Sequence, residues 1–226
     1  KLEDLIMFAS SKDGSYKTLA EYVKDMKEGQ KEIYYACGES VAKIDLLPQV
    51  EAVKDKGYEI LYCTEYVDEF TIMTLRKYKD FEFKNVCNDS IDLDTKEEKE
   101  ELAKKNNEAK DMFKTMAEAV SEVKSIRFTN KLKNHPVCLS SDGEISVEME
   151  KAMNAMPFDN DVKASKVLEI NENHPIAKKL ENLYNTDKEE LKNMTKVLYA
   201  QARLIEGLSI ENPTEISNLI CEYLSK

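Results

Sequence analysis

Residues 187–226 constrain the fold more than any other stretch, because they carry more apolar surface than a helical hairpin can hide alone. The spacing predicts a first helix over about Lys188–Glu206. Leu191, Met194, Leu198, Ala202 and Ile205 recur at three and four residues along one face, and Val197 and Leu204 widen the stripe. Gly207 then supplies an inexpensive helix stop. Asn212-Pro213-Thr214-Glu215 is a start signal, with a capping side chain, a proline at the first helical position and an acid where a capping box places one. Ile216, Leu219, Ile220, Tyr223 and Leu224 form the apolar side of this second helix. Helices of about 28 and 20 Å packed on each other use only part of both stripes. The remainder meets either the chain's own body or a second copy, and a two-fold pairing gives a four-helix bundle.

Composition excludes several function classes. The chain has 226 residues, enough for one or two domains, and a formal net charge of −11. That balance argues against nucleic acid, which requires a concentrated basic face, and against an anionic membrane surface. No apolar run approaches the roughly 18 residues of a membrane span, and the N-terminus is no signal peptide. Five scattered cysteines (37, 63, 87, 138 and 221) without a CxxC pattern point to buried thiols in a reducing cytoplasm, with no metal site. Two histidines leave little for acid–base chemistry near neutral pH.

In chain order, residues 4–8 read as the end of a strand, and so abrupt a start suggests a fragment of something longer. Thr18 and Glu21 frame a short helix to Met26. Strands at 31–37 and 58–63 flank a helical stretch through Val41, Ile44, Leu47, Val50 and Val53. Pro48 divides that stretch in two, so a parallel βαβ unit is expected. A helix over Asp68–Lys79 and a strand through Phe81, Phe83 and Val86 complete a small three-layer α/β/α domain. An acidic boundary at 88–101 leads into one long helix from Thr95 to about Val123. Strands at 125–130, 136–140 and 166–170 follow, with a polar loop at 159–163 and a helix from His174-Pro175 to Leu183. The expected fold is thus α/β followed by a mixed α+β domain ending in the helix pair.

Among the motifs, strand–Gly38-Glu39-Ser40–helix invites a phosphate loop, with Glu65 as a ribose-binding acid, but lacks the other glycines such loops use. Cys37 beside the turn has no histidine near it in sequence, so a structural role is expected for it. No carboxylate pair stands out among 44 acidic residues. Residues 143–157 carry a sharper signal: Ile145, Met149, Met153 and Met156 lie on one helical stripe between Gly143 and Pro157. Such a stripe suits either a core or an adaptable surface for unlike partners.

The stretch Glu21-Tyr22-Val23-Lys24-Asp25-Met26-Lys27-Glu28-Gly29-Gln30-Lys31-Glu32-Ile33-Tyr34-Tyr35 closely resembles the heat-shock protein 90 family. Gly38-Glu39-Ser40, Lys56-Gly57-Tyr58-Glu59-Ile60-Leu61-Tyr62 and Asp68-Glu69 continue the resemblance in order. Leu168-Glu169-Ile170-Asn171, His174-Pro175-Ile176 and Gly207-Leu208-Ser209-Ile210-Glu211-Asn212-Pro213 extend it through the tail. The ending after Leu224, without a docking tail, is similar to the bacterial form. The resemblance implies that 1–90 is the end of the family's middle domain and 95–226 its C-terminal dimerisation domain. The ATP-binding domain and the middle-domain arginine loop would both lie upstream.

It therefore implies a molecular chaperone of the heat-shock response, cytoplasmic and homodimeric, binding unfolded or partly folded client proteins. ATP and Mg belong only to the longer protein. This fragment would have no enzyme activity, no catalytic residue and no cofactor. By position the resemblance puts dimerisation on Leu191, Met194, Leu198, Ala202, Ile205, Ile216, Leu219, Ile220 and Tyr223. Client contact falls on Ile145, Met149, Met153 and Met156. Some relatives carry a tryptophan on that helix, and this chain has none. The rival readings are a nucleotide-using α/β enzyme built on residues 31–65, and a dimeric scaffold that binds no client.

Overall fold

The computed structural model describes residues 3–88, 90–91, 93–157 and 162–225. The chain is a mixed α/β protein with two sheets, divided into two compact units: residues 1–91 with 142–164, and residues 92–141 with 165–226.

The first unit is built on a six-stranded mixed sheet. Its strands are β1 (Met7–Ser10), β2 (Tyr16–Thr18), β3 (Glu32–Cys37), β4 (Leu61–Cys63), β5 (Lys77–Tyr78) and β6 (Phe81–Asn85), in the order β2-β1-β4-β3-β6-β5. The parallel β3–β4 pair predicted from the sequence is present, with Tyr35, Ala36 and Cys37 opposite Leu61, Tyr62 and Cys63. Between them run α2 (Val41–Asp45) and α3 (Pro48–Asp55), separated where Pro48 starts the second helix. Helix α1 (Leu19–Asp25) begins with the expected reciprocal cap. Glu21 N donates to Thr18 Oγ1 at 3.2 Å, and Thr18 N donates to the Glu21 carboxylate at 2.8 Å. It brings Tyr22 into the core, where the hydroxyl donates to the Glu59 carbonyl at 2.7 Å and accepts from Tyr34 N at 3.1 Å. Burial pushes that phenol up to about 12.

Two local expectations are corrected here. Residues 3–5 form a 3-10 turn, and the first strand begins only at Met7. The predicted helix over 68–79 is α4 (Tyr66–Leu75), which starts earlier on a Glu65–Asp68 capping box and stops at Arg76, whose φ is +61°. Lys77–Tyr78 then turns back as β5, because Tyr78 is buried in the core with its hydroxyl bonded to Asp4 at 2.8 Å. That tertiary contact overrides local helix propensity.

The second unit is a three-stranded sheet, β7 (Val123–Thr129), β9 (Lys166–Asn171) and β8 (Val137–Ser141), in that order, parallel in the first pair and antiparallel in the second. The long helix expected to reach Val123 is two helices, α5 (Lys96–Glu108) and α6 (Lys110–Ala117), and Val123 opens β7. The break falls at Ala109, whose φ of −85° and ψ of 1° end α5 and begin α6, while Asn106 within α5 brackets the backbone of Phe128, accepting from its N at 2.8 Å and donating to its carbonyl at 3.2 Å. Helices α8 (Pro175–Thr186), α9 (Lys188–Ile205) and α10 (Pro213–Leu224) complete the unit. Met112, Phe113 and Met116 meet Ile126, Phe128, Leu139, Leu168 and Ile170 of the sheet, together with Leu180, Leu191 and Leu198. On β9 the fully buried Glu169 accepts from Arg127 Nη2 at 2.6 Å and from Ser140, with Lys131 at 3.6 Å, so its charge is paired as burial demands.

Candidate functional site

The methionine stripe lies on α7 (Val147–Asn154), a helix of the first unit and shorter than the 143–157 stretch that bounds it. Ser146 starts it: its Oγ accepts from Met149 N at 2.9 Å and donates to Glu69 Oε2 of α4 at 2.8 Å. Upstream, the Gly143 carbonyl accepts from Asn88 Nδ2 at 3.0 Å. Downstream, Asn154 exchanges two bonds with Val162, and Glu150 accepts from Ala164 N at 2.7 Å. Of the polar patch at 159–163, residues 159–161 lie outside the described residues.

The stripe grades from core to solvent. Ile145 is half-buried, Met149 is 4% exposed, Met153 is half-buried and Met156 is 40% exposed. Met149 and Ala152 share the wall of a cavity of about 240 Å³ with Tyr66 and Phe70 of α4, and its floor is Cys37, Gly38 and Cys63. At its edge Tyr66 and its neighbour Val67 stand well out into solvent. The cavity is acidic as well as apolar, with Glu39, Glu65, Glu69 and Glu148 around it. Burial raises the Glu69 carboxyl above its ordinary range even though Ser146, Asn85 and Cys37 donate to it. Burial likewise raises Glu148, opposed by the Lys151 ammonium.

Four carboxylates around the Gly38 turn disfavour a phosphate there. The turn's own residues are used internally. Ser40 Oγ accepts from Lys43 N to cap α2, and a Cβ on Gly38 would sit 2.8 Å from Ile44 Cγ1. Close approach to Ile44 explains the glycine without a ligand.

On the tail, Leu191, Met194, Leu198, Ala202 and Leu219 are occupied by the unit's own core. Ile205, Ile216 and Tyr223 are half-buried. Leu204 at 62%, Ile220 at 41% and Leu224 at 83% exposed remain open to solvent. The pair is held locally by Lys196, which donates to Glu215 at 2.6 Å, and by Arg203, which donates to the Ser209 carbonyl at 2.7 Å. Asn212 caps α10 through Glu215 N at 3.3 Å, whereas the Glu215 carboxylate accepts from the Asn212 side chain instead of its backbone.

A comparison with protein families matches the model described as Hsp90 protein over residues 1–226. The chain belongs to the Hsp90 family. It is 50% identical over 224 residues to chaperone protein HtpG of Clostridium botulinum (strain Langeland), covering 99% of this chain and 36% of that protein. It is 50% identical over 225 residues to HtpG of Clostridium perfringens (strain 13) and 48% over 225 residues to that of Bacillus subtilis (strain 168), with the same two coverages. This Hsp90-family chain thus spans just over a third of the length of the curated relatives it matches.

Periodicity located the stripe but missed its neighbours in this family member. Tyr66, Phe70 and Glu69 border the same cavity as Met149, yet their helix carries no stripe that marks them. Among the described residues no helix is long and apolar enough to cross a membrane.

Proposed function

We propose that this chain is the dimerising, client-holding part of a longer cytoplasmic HtpG-type chaperone of the heat-shock response. Residues 1–90 would end its middle domain, and 95–226 would form its C-terminal domain. ATP and Mg act only in the longer protein, and to that cycle this part contributes contacts. The observation that carries the reading is the set of exposed Leu204, Ile220 and Leu224 on the last two helices. All three stand on the two helices that end the chain, and exposed aliphatic side chains there suit a partner surface. Two copies would bury six such side chains, a gross gain on the order of 9–18 kcal/mol at about 1.5–3 each. The association cost is about 4–15 kcal/mol, so the half-buried Ile205, Ile216 and Tyr223 have to contribute as well. A four-helix bundle from α9 and α10 of both copies meets that need. Joining two chains in this way raises the effective concentration of whatever each carries upstream.

The client surface is the open end of the methionine stripe, Met153 and Met156, continued by Tyr66 and Val67. Flexible thioethers and an amphipathic ring accept varied apolar segments. Light scattering over a range of concentrations tests the dimer. Twice the 26.0 kDa chain mass is expected, falling to one chain for Leu204→Glu with Leu224→Glu at unchanged circular dichroism. A single-chain mass for the unaltered protein at high concentration overturns the reading.

A further inference from the structure

Cys37 and Cys63 lie directly opposite each other on the parallel strands β3 and β4. Paired residues on neighbouring strands project to the same face. Neighbouring strands run about 4.7–4.9 Å apart, inside the roughly 4.4–6.8 Å Cα separation that disulfides span. Both cysteines are free, and their thiols are joined by a hydrogen bond. Both line the cavity of about 240 Å³ beneath α4 and α7, which is large enough for a molecule the size of a peroxide. Of the other three cysteines, Cys87 lies in the same unit past the end of β6 and close enough to act on Cys37 electrostatically but is not opposite it in the sheet, Cys138 belongs to the second unit, and Cys221 is exposed on α10.

We propose that Cys37 and Cys63 are a redox-active dithiol that a hydroperoxide closes to a disulfide, next to the start of α7. One sulfur attacks the peroxide O–O bond and becomes a sulfenic acid, releasing water or an alcohol. The second sulfur attacks the first, the S–O bond breaks and water leaves. Two electrons and two protons pass from the thiols to the peroxide, and a thiol reductant reverses the step. The hydrogen bond with Cys63, and burial after it, raise the Cys37 thiol, and burial raises the Cys63 thiol, so thiolate is scarce near neutrality and closure is slow, accelerating as pH rises. The step reaches beyond the two sulfurs. The Cys37 thiol is one of the donors to Glu69, and Glu69 also accepts from Ser146, the cap of α7. Closing the disulfide removes a donor from that carboxylate, so the first turn of α7 senses the oxidation state.

The test exposes the reduced 226-residue chain to hydrogen peroxide under native conditions, blocks remaining thiols by alkylation, and maps peptides by mass spectrometry without reduction. A Cys37–Cys63 cross-linked peptide is expected, with the loss of two hydrogens from the intact mass and full return on adding dithiothreitol. Cys63→Ser and Cys63→Ala must each abolish the intrachain link. Amide exchange in residues 147–150 changes on oxidation of the unaltered chain and stays constant in the variants. Mapping the unaltered chain decides the matter even where a variant folds poorly. Alkylation of both cysteines after Cys221 has been oxidised overturns the proposal, as does a link from Cys37 to Cys87.

Discussion

Gly38 and Glu69 show how single positions are fixed by what surrounds them. A methyl group on Gly38 meets the fully buried Ile44 at 2.8 Å, closer than real Cβ contacts come. Gly38→Ala is therefore expected to cost about 1–3 kcal/mol of overpacking, read by denaturant unfolding. The cost should shrink when Ile44→Val is added. A neutral Gly38→Ala would put the reason for the glycine elsewhere. Glu69 supplies a pH prediction. Burial holds its carboxyl above the unfolded value, so between those two points the folded chain binds more protons than the unfolded one. Its favourable contribution is complete below the unfolded pKa and is lost as pH rises through the folded one. Glu69→Gln keeps an acceptor for Ser146 but cannot ionise. The difference in stability between variant and unaltered chain should thus grow in the variant's favour from about pH 4.5 upward, the range in which a glutamate begins to ionise. A difference that stays constant with pH would mean Glu69 is not strained by burial.

At the scale of elements, the sequence announced helices through their ends, because capping is local. Thr18 and Glu21, Thr95 and Glu98, and Asn212 with Pro213 all start helices in the structure. It failed where distant residues decide. Nothing near Ala109 signals a break, and nothing near Lys77 signals a strand, which Tyr78 buried in the core decides. Periodicity also shows that a helix has an apolar face without showing what covers it. Leu198 sits on the main stripe and Leu204 only widens it, yet Leu198 is core and it is Leu204 that faces water. Two contrasts follow. Leu198→Ala should cost about 2–5 kcal/mol of stability, while Leu204→Ala should leave unfolding nearly unchanged and weaken self-association. On α7, Met149→Ser should lower the melting temperature. Met156→Ser should leave it in place and reduce suppression of aggregation of a denatured model protein. Equal thermal effects at both methionines would mean that the stripe lies in one environment throughout.

For the whole molecule, the question is whether copies associate through apolar surface or through charge, and the net charge of −11 separates the two. Bringing two such chains together sets like charges against each other, a cost that falls as salt screens it. The screening length drops from about 30 Å at 0.01 M to about 10 Å at 0.1 M, so most of that repulsion is lost within an easily measured range. Burial of Leu204, Ile220 and Leu224 is not weakened by the same change. An apolar tail interface therefore predicts a dimer that tightens as sodium chloride rises from the lower to the higher value, measured by sedimentation equilibrium. An interface held by ion pairs predicts the opposite slope, because screening then removes the attraction itself. The ion pairs on these helices, Lys196 with Glu215 and Arg203 with Glu122, are already satisfied within one chain. They have little left to offer a second copy, which places the expected slope on the apolar side. A dimer that dissociates with added salt would remove the tail's aliphatic surface as its cause.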